Sequence, residues 1–250
     1  MDGIILETRG LTKEFRGFYA VSDVDLAVRE GSIHALIGPN GAGKTTCFNM
    51  LSKFLQPTRG SIRFHGRDIT RLEPAAVARL GLVRSFQISA VFPHLTALEN
   101  VRLALQRKRG RNFDFWRGEK QLRGFEEPAR ALLDDVGLTE YADLAAVQLS
   151  YGRKRALEIA TTLALEPLVM LLDEPTAGMA HADVDRTVAL IRRVRQGRTI
   201  VLVEHNLSVV EGLCDTITVL THGRVLAEGD YATVSRNPEV IAAYVGSPDA

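Results

Sequence analysis

Apolar residues along this chain follow two rhythms that take turns. Compact runs such as SIHALIG (32–38), LVRSF (82–86), LVMLLD (168–173) and TIVLVEH (199–205) have the length and continuity of buried strands. Ile4–Glu7 and Val24–Val28 look like antiparallel strands, and SIRFHGRDI (61–69) reads as two short β pieces around a glycine turn. TITVLTHGRVLAEG (216–229) completes the β set. Between these, apolar residues three or four apart predict helices after Lys44, near Pro74–Leu80, and over Glu99–Gln106, Pro128–Val136, Tyr151–Leu165, Val184–Val194 and Asn237–Val245. Strands alternating with helices predict an α/β fold with a mainly parallel sheet. From about Ala90 to Leu165 the strand signal stops and only the helical spacing persists. That stretch is expected to be a helical subdomain (about 90–165) inserted into a core made of about 1–89 and 166–250, the whole forming one domain.

Composition narrows this picture only a little. The chain has 250 residues, 46% of them hydrophobic and 24% charged, as in an ordinary globular protein with one core, or a core and a subdomain. Thirty-one basic residues against thirty acidic ones give a net charge of +1, which argues against nucleic acid or an anionic membrane as a bulk partner. Cys47 and Cys214 are too few for a disulfide framework and are expected to be reduced thiols in a cytosolic protein. The opening MDGIILETRG has no basic n-region and does not read as a signal peptide. Leu157–Leu172 is interrupted by Glu158, Glu166 and Pro167, so no run reaches the roughly 18–20 apolar residues of a membrane span. A soluble chain is expected, with any membrane role coming through a partner.

Chemistry enters at Gly38-Pro39-Asn40-Gly41-Ala42-Gly43-Lys44-Thr45-Thr46, which follows a strand and opens a helix. Glycines there let backbone N–H groups wrap the β- and γ-phosphates of a nucleotide, and the helix N-terminus adds its positive dipole end. Lys44 would reach the β/γ oxygens, and the Thr45 hydroxyl is placed for Mg²⁺. Asp173, closing the run VMLLD, can hold Mg²⁺ through water, and Glu174 could polarise a water for in-line attack. His205 closes the next strand, where it could donate to the γ-phosphate and orient the base. Gln87, following LVRSF, has an amide able to touch both Mg²⁺ and the attacking water.

This ordered set resembles the nucleotide-binding subunit of an ATP-binding cassette (ABC) transporter along nearly the whole chain. The resemblance rests on the P-loop at 38–46, Gln87, LSYGR at 149–153, LLDEP at 171–175 and His205. It implies an ABC cassette of P-loop NTPase type, with an N-terminal antiparallel β subdomain and an inserted helical subdomain, using ATP and Mg²⁺. It puts an aromatic against adenine, here Phe15 with Tyr19 as fallback, and a plain core role is open for either. Ser150 and Gly152 match the signature residues that, in this family, close on the γ-phosphate held by a second subunit. The implied partners are therefore a second ABC ATPase subunit, identical or not, and integral membrane permeases. An extracytoplasmic or periplasmic solute-binding protein acts indirectly. The implied location is the cytoplasmic face of the inner membrane, held peripherally by the permeases.

Finer cues resemble the importers of branched-chain amino acids and related hydrophobic amino acids, amides and urea: SFQISAVFPHLTALENV, LSYGRKRALEIA, AGM and the tail NPEVIAAYVGSP. The helical region from Gln87 to Val101 would then receive the permease's coupling helix. Two departures stand out. Tyr151 and Arg153 occupy positions where the family signature has glycine and glutamine, and Arg153 reads equally as a phosphate donor or a solvated charge. Ala180 and His181 follow EPTAGM where a partner-facing aspartate or asparagine is usual. The basic stretch 106–120 reads as a solvated loop or as a face toward permease or lipid. A lipopolysaccharide-type export cassette and a non-transport ABC ATPase are the competing readings.

Overall fold

The computed structural model of the chain describes residues 3–85, 91–108 and 124–245. Residues Met1–Arg84, Leu168–Thr176 and Arg195–Ala250 form one compact unit, and Ser85–Pro167 with Ala177–Val194 form a second.

The first unit is built on two sheets. Strands β1 (Ile4–Phe15), β2 (Phe18–Arg29), β4 (Arg59–Phe64) and β5 (Arg67–Asp68) make an antiparallel sheet in the order β2-β1-β4-β5. The other sheet runs β10-β9-β3-β8-β7-β6, from β3 (Ile33–Ile37), β6 (Leu82–Ser85), β7 (Val169–Asp173), β8 (Thr199–Val203), β9 (Thr216–Thr221) and β10 (Arg224–Gly229). Strand β3 is parallel to both β8 and β9, and β7 is parallel to β8, whereas β10 folds back antiparallel on β9. The mainly parallel sheet and the antiparallel N-terminal sheet both match expectation. Every residue of β3, β7 and β8 is buried, which is why these strands appear in the sequence as unbroken apolar runs rather than alternations. Cys47, Phe48, Met50 and Leu51 of helix α1 (Lys44–Leu51) join one apolar cluster with Leu6, Val24 and Ile62 of one sheet and Leu36, Leu171 and Val201 of the other. The phosphate-loop helix is therefore clamped by core on both sides. A short helix α2 (Pro74–Arg79) precedes β6.

The first two strands extend well beyond the pieces legible in the sequence, each covering 12 residues. Polar Thr8 and Thr12 interrupt the apolar pattern but are buried and hydrogen-bonded across the pair. The Thr8 hydroxyl donates to the Val24 carbonyl at 2.9 Å and accepts from the Leu26 N–H at 2.9 Å. The 216–229 segment is a hairpin turning at His222 and Gly223, both at positive φ.

The second unit holds α3 (Ala97–Lys108), α4 (Glu126–Asp135), α5 (Tyr151–Leu163) and α6 (His181–Val194), with single 3₁₀ turns at Thr139–Tyr141 and Ala146–Gln148. Helix α3 starts two residues earlier than its apolar spacing suggested because a reciprocal cap fixes its entry. The Thr96 hydroxyl accepts from the Glu99 N–H at 3.1 Å, and the Glu99 carboxylate accepts from the Thr96 N–H at 2.8 Å. Helix α5 packs on α3, α4 and α6, and its buried Arg155 and Glu158 pair at 2.7 Å one turn apart. Helices α7 (Leu207–Leu213), α8 (Tyr231–Ser235) and α9 (Pro238–Val245) return to the first unit. Among the described residues no helix is long and apolar enough to cross a membrane. Cys47 is buried, Cys214 is half-buried, and both are free thiols; burial pushes each up to about 12. Gln87, Phe86 and most of the basic stretch 106–120 lie outside the described residues.

Candidate functional site

The phosphate loop springs from the central strand of the parallel sheet, and its shape is imposed from beneath. Gly38 has φ +148, and a Cβ there would lie 2.1 Å from the Leu220 carbonyl oxygen. Gly43 has φ +97, and its Cβ would lie 2.4 Å from the Ala20 carbonyl oxygen. Glycine is thus demanded by the seat as well as by the approach of a phosphate. Helix α1 begins at Lys44 with no side-chain cap, and the Cys47 N–H donating to Gly43 O at 2.9 Å closes its first turn. The preceding N–H groups of that turn are those a helix cannot satisfy by itself, and an anion suits them. The Lys44 ammonium is buried and donates to the carbonyls of Gly38 at 2.6 Å and Pro39 at 3.0 Å. Burial pulls its pKa below the usual lysine value, and the charge of Glu174 opposes that shift. Asn40, Gly41 and Thr45 are exposed, Ala42 is buried, and Thr46 is half-buried.

Two acids and a histidine stand at the same edge of the sheet. Asp173 ends β7 directly across from Val203 of β8, so the strands carrying Asp173 and His205 are immediate neighbours. The buried Asp173 carboxylate is paired with Arg84. Glu174 follows at φ +42, a left-handed conformation costly for a residue with a Cβ, and its N–H donates to Val203 O at 3.0 Å. The strain sits at the position that could polarise water. His205 is exposed one residue beyond the wholly buried Glu204.

Glu204 was not singled out from sequence, and it organises this edge. One carboxylate oxygen accepts from the Thr176 N–H at 3.0 Å and the Thr176 hydroxyl at 2.7 Å. The other accepts from the N–H groups of His205 at 3.2 Å and Asn206 at 3.4 Å. The turn after Glu174 and the turn bearing His205 are thereby fastened to one buried carboxylate. In Glu204→Gln an NH₂ group must face backbone donors, leaving buried N–H groups unpaired at about 1–3 kcal/mol. The expected result is a lower urea midpoint and roughly a tenfold fall in kcat with KM for ATP little changed, read by equilibrium unfolding and steady-state ATPase assay. Wild-type kcat in that variant would remove the link between the two turns from the reaction.

Aromatic rings stand out at the tip of the β1–β2 hairpin. Phe15 is 46% exposed with the Lys13 ammonium 5.2 Å from its centroid, and Tyr19 is 44% exposed with Arg59 at 6.0 Å. Neither ring belongs to the core, so each is open to a flat ligand.

In the second unit, LSYGR opens α5. Ser150 takes the N-cap position with extended backbone, but its side chain makes no capping hydrogen bond. The capping role suggested by its position is not what its hydroxyl does. The Tyr151 hydroxyl donates to the Ala177 carbonyl at 3.1 Å. A Cβ on Gly152 would come within 3.1 Å of the Asp183 carboxylate, a close contact to which that side chain would have to yield. The Arg153 guanidinium lies 3.9 Å from the Tyr141 ring centroid and donates to the Tyr141 hydroxyl at 2.6 Å. The exposed guanidinium is thus held against Tyr141 within its own unit. Ala180 and His181 are exposed at the start of α6.

Comparison with known proteins follows the same outline. A family profile described as ABC transporter matches residues 21–177, more than half the chain. The chain belongs to the ABC transporter family. As an ABC cassette it is an ATP-hydrolysing component of transport. A second profile, described as branched-chain amino acid ATP-binding cassette transporter, matches residues 224–250. The chain is 41% identical to the high-affinity branched-chain amino acid transport ATP-binding protein BraF of Pseudomonas aeruginosa, covering 97% of this chain and 98% of that one. It is 37% identical to the LivG protein of the same description from Escherichia coli K12, with the same coverage. Among solved structures it is similar to a nucleotide-free ATP-binding cassette from an ABC transporter, with TM-score 0.85, 29% identity, and 98% and 100% of the two chains covered. It also resembles a dimeric ATP-binding cassette in a post-hydrolysis state bound to ADP and Pi, with TM-score 0.75, 26% identity, and 91% and 99% covered.

The C-terminal match has a physical counterpart in this ABC chain. Burial pushes the Tyr244 phenol up to about 12, with the nearby Gly38 backbone pulling the other way.

Proposed function

We propose that this ABC cassette hydrolyses MgATP to power uptake of branched-chain amino acids or related small solutes through membrane permease subunits. The observation that carries the catalytic part is the convergence of Lys44, Asp173, Glu174 and His205 at the ends of three adjacent parallel strands. The solute class is supported by the names of relatives matched along nearly the whole chain and by the C-terminal profile.

In this reading Gly38–Thr46 wraps the β- and γ-phosphates, with Lys44 exchanging the loop's own carbonyls for phosphate oxygens. Phe15, or Tyr19 behind it, covers the adenine. Glu174 holds the attacking water and takes its proton, and His205 donates toward the γ-phosphate from the turn fixed by Glu204. Thr45 and Asp173 would hold Mg²⁺, with Gln87 as a further ligand. A hydroxyl and a carboxylate are hard oxygen donors, and magnesium completes its shell with phosphate and water rather than with a protein cage. That fits a chain whose described residues contain no group of three or more His, Cys, Asp or Glu able to hold a metal alone. When bound, Mg²⁺ offsets the negative charge on the phosphates.

The uncapped Ser150 hydroxyl and the N-terminus of α5 supply a second anion half-site, offered to the nucleotide of a partner cassette. The working unit is then a pair of cassettes, identical or not, held at the cytoplasmic membrane face by permeases. A solute-binding protein delivers cargo from outside. The helical region from Gln87 to Val101 receives the permease's coupling helix.

In cells lacking the gene, energised uptake of labelled leucine, isoleucine and valine is expected to drop to background. Wild-type protein should restore it and Lys44→Ala should not. Undiminished uptake in the deletion strain would overturn the solute assignment, and full restoration by Lys44→Ala would overturn the ATP dependence.

A further inference from the structure

We infer that Arg84 is a positioning residue that competes with the metal ion for the Asp173 carboxylate, so that metal binding is coupled to release of an internal ion pair. This rests on the reading of Asp173 as the metal's carboxylate. The guanidinium of Arg84, on β6, pairs through Nη2 with Asp173 Oδ2. The two side chains are only 13% and 8% exposed. Its Nη1 donates to Asn49 Oδ1 at 2.6 Å and to the Ser52 hydroxyl at 3.1 Å, both from the C-terminal end of α1. The same group lies 5.1 Å from the Phe48 ring centroid and 5.7 Å from that of Phe54.

Three consequences follow from this arrangement. A dry carboxylate paired with a guanidinium is already neutralised, so a second cation on it meets repulsion from the first. Arg84 also has somewhere to stay when Asp173 lets go. Asn49, Ser52 and two aromatic faces still hold it, so the pair can open without burying a bare charge. Its Nε is buried without a hydrogen-bond partner among the described residues, so its donors are not all in use in the present arrangement. Finally, Arg84 ties α1, whose first turn carries Lys44 and Thr45, to β7, which ends in Asp173. Arg84 also lies three residues ahead of Gln87 in the chain.

The test is ADP binding by the full chain, followed calorimetrically across a Mg²⁺ titration and in EDTA. Arg84→Gln removes the charge while keeping donors for Asn49 and Ser52, so it serves where Arg84→Met fails to fold. The Mg²⁺ concentration giving half of the full affinity gain is expected to fall about tenfold in Arg84→Gln. ADP affinity in EDTA should stay within about twofold of wild type, and in Arg84→Lys, which keeps the charge but not the fork, the Mg²⁺ requirement should lie closer to wild type than in Arg84→Gln. An unchanged or increased Mg²⁺ requirement in Arg84→Gln would overturn the competition. Asp173→Asn separates the two ideas: if it keeps the wild-type Mg²⁺ response, the metal reading of Asp173 fails. If it loses that response while Arg84→Gln matches wild type, only the role of Arg84 fails.

Discussion

Replacing Glu174 by glutamine is expected to cut ATP turnover by about 10²–10⁴-fold while nucleotide binding persists. The exchange is nearly isosteric and leaves the backbone as it is. The N–H bond to Val203 O at 3.0 Å and the positive φ do not depend on the carboxylate. What is lost is a base at the strand end, together with a negative charge that opposes the depression of the Lys44 pKa. A glutamine can still orient water by hydrogen bonding but cannot take its proton. The measurement is phosphate release at saturating MgATP, paired with equilibrium nucleotide binding. Turnover within about tenfold of wild type, with ATP bound, would assign the proton to another group.

Gly43→Ala is expected to lose nucleotide binding and lower the melting temperature together. Two costs coincide at this residue. An alanine at φ +97 sits in a conformation that L residues rarely adopt, and its Cβ would press on the Ala20 carbonyl at 2.4 Å. Relief requires moving backbone in β2 or in the first turn of α1, and neither yields easily between packed layers. Strain of about 1–3 kcal/mol and overpacking of similar size imply a drop of roughly 5–15 °C. Thermal unfolding and titration with ADP read the two effects separately. A variant that melted normally yet bound nowhere would show that the glycine serves only the phosphate, and one that bound normally would show that the seat is soft.

Much of the fold was legible because its parallel strands are buried on both faces. Runs such as IHALI and TIVLV, five residues long, suit a buried strand better than a helix at that length. The same physics hid the full extent of β1 and β2, where threonines satisfied by neighbouring strands look like interruptions in a one-dimensional pattern. The phosphate loop was legible because its chemistry is packed into nine consecutive residues, 38–46. Arg84 and Glu204 were not. Arg84 finds Asn49, Ser52 and Asp173 at separations of 35, 32 and 89 residues, and Glu204 finds Thr176 at 28. A charged residue within or next to an apolar run gives no local sign of its partner. Arg153 fell between: its position was plain, but its stacking on Tyr141, 12 residues upstream, depends on the 3₁₀ turn that ends at Tyr141 and on the helix start that carries Arg153.

The seat of the phosphate loop has a consequence in time. Strand β3 ends at Ile37, yet its two neighbours are β8 at 199–203 and β9 at 216–221, and Gly38 rests on Leu220. A ribosome adding about 5–20 residues each second finishes the loop's own sequence many seconds before it makes the strands that flank it. The hairpin of β1 and β2 can close at once from local contacts, while the nucleotide cradle must wait for the last fifth of the chain. A nascent chain lacking that portion carries every letter of the motif but only part of its floor, with Ala20 in place under Gly43 and Leu220 missing from under Gly38. Nucleotide recognition thus doubles as a report that synthesis of the core is complete.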